Sequence, residues 1–170
     1  TKNVSVVIDV HGTRRFSKFS DILKNTPTDL THPYHVNYLG TLNLLKAMKA
    51  NNVGKIIRIT GALVGREPLQ TPFMSVFNIL LSRTNKWHEF SEIAIRNSGI
   101  KYTIVRPPGI RKEPTASQID RHLFLENGDT AVKATIGKIS ITDVSRLCLI
   151  ASSNPEILEN STVICASLPG

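Results

Sequence analysis

An unperturbed imidazole titrates near neutral pH, so a histidine such as His88 could hold or move a proton if its helix turns that face toward a ligand. One ring nitrogen of such a histidine can orient a ligand carbonyl or relay a proton. His88 sits in the helical stretch W-H-E-F, with Glu92 one turn further on. The same residue therefore also reads as half of a helix-surface pair worth roughly 0.2–0.5 kcal/mol. The other candidates lie where apolar runs end. Thr60, Gly61 and Ala62 follow K-I-I-R-I; Arg106, Pro107, Pro108, Gly109 and Ile110 follow Y-T-I-V; and Gly12 follows V-S-V-V-I-D-V. In open α/β sheets, ligands bind just outside the carboxyl ends of the strands. If those ends lie side by side, Thr60, Gly61, His88 and Pro107 to Ile110 converge on one cleft, with Thr60 supplying a hydroxyl.

The elements that must position these residues centre on Asn97 to Ile110, N-S-G-I-K-Y-T-I-V-R-P-P-G-I. Ser98-Gly99 marks a helix stop, since glycine reaches the left-handed conformation at least cost. Tyr102 to Val105 is aromatic and β-branched, as a buried parallel strand should be. Arg106-Pro107-Pro108 ends it, because proline donates nothing to a ladder and holds the preceding residue extended.

Val4–Val10 and Lys55–Thr60 are two more apolar runs of the same kind, and all three are expected side by side and parallel. Phe16 to Lys24 hints at a short helix, and Asn25 to Pro33 reads as loop. Val36 to Asn52 is helical, with Leu42, Leu45 and Met48 on one stripe and Lys46 and Lys49 outside it. Thr71-Pro72 starts a further helix, with Phe73, Val76, Phe77, Leu80 and Leu81 as its stripe. The pattern runs on through Trp87, Phe90 and Ala94 to Ser98. Arg111 to Asp129 lacks periodicity and is expected as a loop with a short helix, and Ala131 to Thr135 as a strand. Ser140-Ile-Thr-Asp143 fits a capping box, with Val144, Leu147, Cys148 and Ala151 facing inward. Thr162 to Ala166 is the last strand.

The totals allow one domain over residues 1–170, long enough to bury a core. No apolar run approaches the roughly 18 residues of a membrane span. The net charge of +8 is uneven, with 17 of the 21 Lys and Arg within residues 1–112. These are scattered, so a solvated basic face is the simpler reading, and no motif points to specific nucleic-acid binding. Cys148 and Cys165 read as buried, reduced thiols.

S-G-I-K-Y-T-I-V-R-P resembles the S-G-hydrophobic-x-Y-T-hydrophobic-hydrophobic-R-P signature of the atypical, NmrA-like branch of the short-chain dehydrogenase/reductase superfamily. Its flavin reductase-like relatives share the helix-turn-strand. V-N-Y-L-G-T-L-N-L-L resembles that superfamily's V-N-x-x-G-T-x-N-L-L helix, and K-I-I-R-I-T-G-A its fifth strand. The resemblance covers about residues 4–166. It implies an α/β fold, a doubly wound parallel Rossmann-like sheet that starts at the fourth strand. The first three strands, their glycine-rich loop and the ribose selector are not among these residues. The domain is thus expected to be N-terminally incomplete, with Val4–Val10 covered by another polypeptide or a preceding segment. Gly40 would permit close helix–sheet approach.

The resemblance also implies a dinucleotide, NADP or NAD, as cofactor, contacted by Gly12, Thr60, Gly61, Ala62, Arg106, Pro107, Pro108, Gly109 and Ile110. Without a glycine-rich helix N-terminus, these 170 residues alone are expected to bind it more weakly than about millimolar. Asn37 matches an asparagine used in the superfamily's proton relay, although it also reads as an ordinary helix-start residue. The superfamily's Y-x-x-x-K positions fall on Thr84 and His88, so the fixed tyrosine-lysine mechanism is disfavoured. His88, Thr60 and Asn37 remain as catalytic candidates, and no metal is implied. The expected function is hydride transfer to an unknown small acceptor resembling a flavin or quinone. The alternative is a non-catalytic sensing, assembly or structural subunit that keeps the fold. An intracellular location is expected, cytoplasm or organelle matrix or stroma, and the sequence does not choose the compartment.

Overall fold

A computed structural model describes residues 4–13, 15–18, 27–65, 83–112, 121–128, 138–154 and 156–169. They belong to two compact units. The sheet unit takes Asn3–Val10, Gly54–Leu63 and Lys101–Gly170; the helical unit takes Thr1–Lys2, His11–Val53 and Val64–Ile100.

The sheet unit holds strands β1 (Val6–Asp9), β2 (Lys55–Ile59), β3 (Lys101–Arg106), β4 (Gly109–Arg111), β5 (Arg121–Asn127), β6 (Lys138–Ser140) and β7 (Ser161–Pro169). Five of them form one sheet in the order β1-β2-β3-β7-β5. β1, β2, β3 and β7 are parallel, so the three expected neighbours are indeed adjacent and parallel. The strand expected at Thr162 to Ala166 is β7. This is the Rossmann-like α/β arrangement that the resemblance implies.

β2 is buried on both faces, which is why K-I-I-R-I reads as a run and not as an alternation. Its two charged members have partners inside the unit. Lys55 donates from Nζ to the Ala151 carbonyl at 2.8 Å, in the last turn of helix α3 (Ile141–Ser153), where the helix dipole favours a cation. Burial pushes its ammonium below the usual lysine range. Arg58 meets Asp9, its register partner on β1, at 2.7 Å, and both side chains are excluded from solvent. Helix α3 is capped as expected: Ser140 is extended, and its Oγ accepts from the Asp143 N–H at 2.9 Å. Val144, Leu147, Cys148 and Ala151 pack with Ile57, Val105, Val163 and Cys165 into one core. Ala62, Ile164 and Ala166 form a second cluster, with Phe124 against it.

The loop expected over Arg111 to Asp129 is corrected at both ends. Gly109–Arg111 pairs in parallel with Lys138–Ser140, and Arg121–Asn127 pairs antiparallel with β7. R-H-L-F-L-E-N has little β-branched character. It becomes a strand because a partner more than thirty residues away supplies the ladder. Ala131 to Thr135 and the stripe Phe73 to Leu81 lie outside the described residues, as does most of the short helix hinted at Phe16 to Lys24. Phe16 to Lys18 is not helical.

In the helical unit, a π-helical turn, Tyr34–Leu39, runs straight into helix α1 (Gly40–Ala50), and helix α2 spans Thr84–Arg96. Leu45 and Met48 are buried and Lys46 and Lys49 exposed, as the stripe requires. Gly40 does permit a close approach, though by His11: an added Cβ would stand 3.1 Å from its Nε2. The inner face of α2 differs from the expected one. It keeps the expected Trp87 but otherwise consists of Thr84, Ser91, Glu92 and Ile95, while Phe90 is 39% exposed. Glu92 is fully buried and accepts from Arg96 at 3.0 Å, so a charged residue occupies a face that a hydrophobic pattern cannot reveal. α2 ends at Asn97, Gly99 is left-handed at φ +76°, and the Ile100 N–H donates to Ser98 Oγ at 3.0 Å.

Two outcomes follow from these contacts. Asp9→Asn leaves the Arg58 charge buried without its counter-ion, and equilibrium denaturation should show a loss of about 3–5 kcal/mol. Replacing both residues with apolar ones, Asp9→Leu with Arg58→Met, should recover most of it. Burial, with the neighbouring Cys148, pushes the Cys165 thiol from 9.0 up to about 12. Between those values the unfolded chain has released a proton that the folded chain keeps, so stability is intact below about pH 9 and falls as pH rises. Thermal melts at about pH 8 and pH 10.5 should show a smaller pH-dependent drop for Cys165→Ala than for the unmodified chain.

Candidate functional site

Three of the expected site residues meet in the helical unit, and the π turn is what brings them there. Such turns insert a residue into the helical ladder and re-aim side chains. Asn37 sits in the middle of this one, fully buried. The turn is held by the Gly40 N–H donating to the His35 carbonyl, by Thr41 Oγ1 donating to the Asn37 carbonyl at 2.8 Å, and by His11 Nε2 on the Val36 carbonyl at 2.8 Å. The Asn37 amide then bridges two segments. Its Oδ1 accepts from the Thr13 N–H at 2.9 Å, and its Nδ2 lies 3.2 Å from His88 Nε2 and 3.4 Å from the Thr13 carbonyl. Gly12 completes the group: a Cβ there would stand 3.7 Å from both Asn37 Oδ1 and His88 Cε1. His88 is half-buried on α2, and Thr84, one turn earlier, is buried at the helix start. The Thr84 backbone follows Arg83 in the left-handed region, at φ 52°.

The remaining candidates lie in the sheet unit, at the carboxyl ends of β2 and β3. Parallel pairing continues past both strands: the Thr60 N–H donates to the Val105 carbonyl and the Ala62 N–H to the Pro107 carbonyl, each at 3.0 Å. Thr60-Gly61-Ala62 therefore runs alongside Val105 to Pro107. Ala62 and Pro107 are buried, whereas Gly109 and Ile110 are exposed and belong to β4. Among the described residues, nothing stands within 4 Å of a Cβ built on Gly61, so the main chain there is open to close approach.

Arg106 is 3% exposed and donates from Nη1 to the Gly128 carbonyl at 2.9 Å. Its guanidinium anchors the end of β5. Gly128 in turn donates to the Thr162 carbonyl at 2.8 Å.

A family profile described as NAD(P)H-binding matches residues 2–155. The chain belongs to the NAD(P)H-binding family.

Protein TIC 62, chloroplastic, of Arabidopsis thaliana is 28% identical over 130 residues, 76% of this chain and 19% of that protein. The chain thus spans only about a fifth of the length of that curated relative. Among solved structures, the oxidoreductase ylbE from Lactococcus lactis superposes with a TM-score of 0.67 at 12% identity, covering 99% of this chain and 64% of that one. ChuY, an anaerobillin reductase from Escherichia coli O157:H7, gives 0.64 at 13% identity, covering 97% and 65%. At such identities the structural likeness carries the fold alone.

Two participants in this NAD(P)H-binding chain escape a reading by residue type. Thr13 acts through its main chain, which no side-chain pattern announces. Gly128 is required by packing: a Cβ there would meet Thr162 Cγ2 at 2.6 Å and the Thr162 main chain at 3.2 Å. Among the described residues no helix is long and apolar enough to cross a membrane, and no group of three or more His, Cys, Asp or Glu is placed to hold a metal.

Gly128→Ala should force β5 away from β7 and loosen the Arg106 anchor. A loss of about 1–3 kcal/mol in chemical denaturation is expected, whereas Gly61→Ala, which meets open space, should change stability far less.

Proposed function

We propose that this chain is the acceptor-side portion of an NAD(P)H-dependent reductase that passes a hydride to a conjugated, electron-poor acceptor of the flavin or quinone type. The observation that carries the reading is His88, held by the buried amide of Asn37 at 3.2 Å. The superfamily's tyrosine and lysine positions hold Thr84 and His88. Hydride delivery to a flavin or quinone needs no tyrosine acid, because the acceptor takes up its proton at a heteroatom within hydrogen-bonding reach of a neutral donor.

The dinucleotide, NADP or NAD, supplies the hydride. The chain's own residues bind and orient. The open main chain at Gly61, the Thr60 hydroxyl and the strand exit Pro107 to Ile110 provide contacts at the carboxyl ends of β2 and β3. His88 polarises the acceptor, and Asn37 and Gly12 hold and flank its ring. The reading extends to β1, which lies at the edge of the described sheet with Ile8 40% and Val10 68% exposed. An apolar edge of this kind invites a further strand, and we assign that place to another segment or polypeptide.

The test is turnover by the complete protein with NADPH and with NADH, offered FMN or a soluble quinone, followed by the near-ultraviolet absorbance of the reduced dinucleotide. Acceptor-dependent oxidation is expected. His88→Ala should lower kcat roughly 10²-fold while the dinucleotide KM stays within about threefold. Dinucleotide binding without turnover on either acceptor would overturn the reading in favour of a non-catalytic assembly subunit.

A further inference from the structure

The Asn37 amide has a fixed orientation, and that orientation has a chemical consequence for His88. The Thr13 main-chain N–H can only donate, so the amide end that it meets at 2.9 Å must be the carbonyl oxygen. The opposite end is then the NH₂ group, which has two donors and no acceptor. One donor points toward the Thr13 carbonyl and the other toward His88 Nε2, 3.2 Å away. An NH₂ group facing a ring nitrogen demands a lone pair there. We infer that Asn37 is a positioning residue that locks His88 as the neutral imidazole with its proton on Nδ1.

The lock is built into the fold. The backbone of Asn37 is pinned by Thr41 Oγ1 on its carbonyl and by the π-helical bonds on either side. Asn37 is fully buried, so water does not compete for its amide. Rotating the amide by half a turn would set NH₂ against the Thr13 N–H and the carbonyl against that residue's own carbonyl, losing both bonds at once. Imidazolium is disfavoured on the same ground, because a proton on Nε2 would face the Nδ2 protons.

The proposed reductase function gives this lock its use, and the catalytic consequence rests on that reading. The ring proton of His88 then sits on Nδ1, on an uncharged imidazole, and Nε2 is not the proton-delivering atom. The ring acts by polarisation.

The experiment is a long-range ¹H–¹⁵N correlation spectrum of the complete protein, with histidine ring nitrogens labelled and the His88 signals assigned by loss in His88→Gln. At neutral pH, His88 Nδ1 should show the shift of a protonated, pyrrole-type nitrogen and Nε2 that of an unprotonated, pyridine-type one. This is the reverse of the tautomer favoured by free histidine. Asn37→Asp preserves size and the Thr13 bond but turns the group facing His88 from donor to acceptor. Its spectrum should show Nε2 protonated, with kcat at least about tenfold lower and the dinucleotide KM little changed. Nε2–H or a charged ring in the unmodified protein overturns the inference, whatever the variant does. An unmoved Nε2 signal in a folded Asn37→Asp protein overturns it as well. Nδ1–H without acceptor reduction leaves the lock standing and removes the reductase reading. Reduction with Nε2–H does the opposite.

Discussion

The ion pair between Arg58 and Asp9 is the interaction on which the sheet's geometry depends. Both groups are stripped of water, and each is tolerable there only because the other stands 2.7 Å away. Removing charges from water costs several kcal/mol per ion, so the pair contributes less to net stability than to uniqueness. Val6 pairs with Lys55 and Asp9 with Arg58. A slip of β1 by one residue would send Asp9 to the other face and strand a guanidinium in a dry interior. The register of β1 against β2 is therefore enforced by a penalty that no alternative pairing escapes. β2 hands that register on to β3 through five successive Cα partners, from Lys55 with Lys101 to Ile59 with Val105.

The same logic recurs along the unit. Lys55, Arg58, Thr103 and Arg106 are all buried, and each has a named partner: a helix carbonyl for Lys55, a carboxylate for Arg58, and the Leu158 and Gly128 carbonyls for Thr103 and Arg106. An apolar core would be satisfied by many packings. A core with four polar anchors accepts one, because a buried donor or acceptor left unmade costs about 1–3 kcal/mol. These anchors hold the carboxyl ends of β2 and β3 level. The pairing that continues through Thr60, Ala62 and Pro107 beyond the strands follows from that alignment.

What could be read in the sequence was local chemistry. Gly99 needed only its own lack of a Cβ, the Ser140 cap only the residues three positions on, and β1, β2 and β3 only their apolar runs. What escaped depended on distant partners. β5 is a strand by courtesy of β7, and the inner face of α2 includes Ser91 and Glu92, whose burial is made possible by bonds to the His88 carbonyl and to Arg96. For the candidate site, His88 and Asn37 were visible as residue types matched to a family pattern. Their meeting was not, since it requires a π turn that shifts Asn37 out of α-helical phase and a main-chain N–H from Thr13, fifty-one and seventy-five positions from the imidazole respectively.

Under the function proposed above, His88 stands where the superfamily pattern would put an ammonium. A lysine carries a fixed charge and must be solvated or paired wherever it is buried. The imidazole of His88 is instead held by an amide, beside a turn packed with aromatic rings. Tyr34 lies 4.9 Å and Phe90 5.6 Å from Trp87, and Tyr38 is nearly parallel to the indole at 27°. The nearby cation, Lys86, is kept outside, over the faces of Trp87 and Phe90 at 5.0 and 5.5 Å.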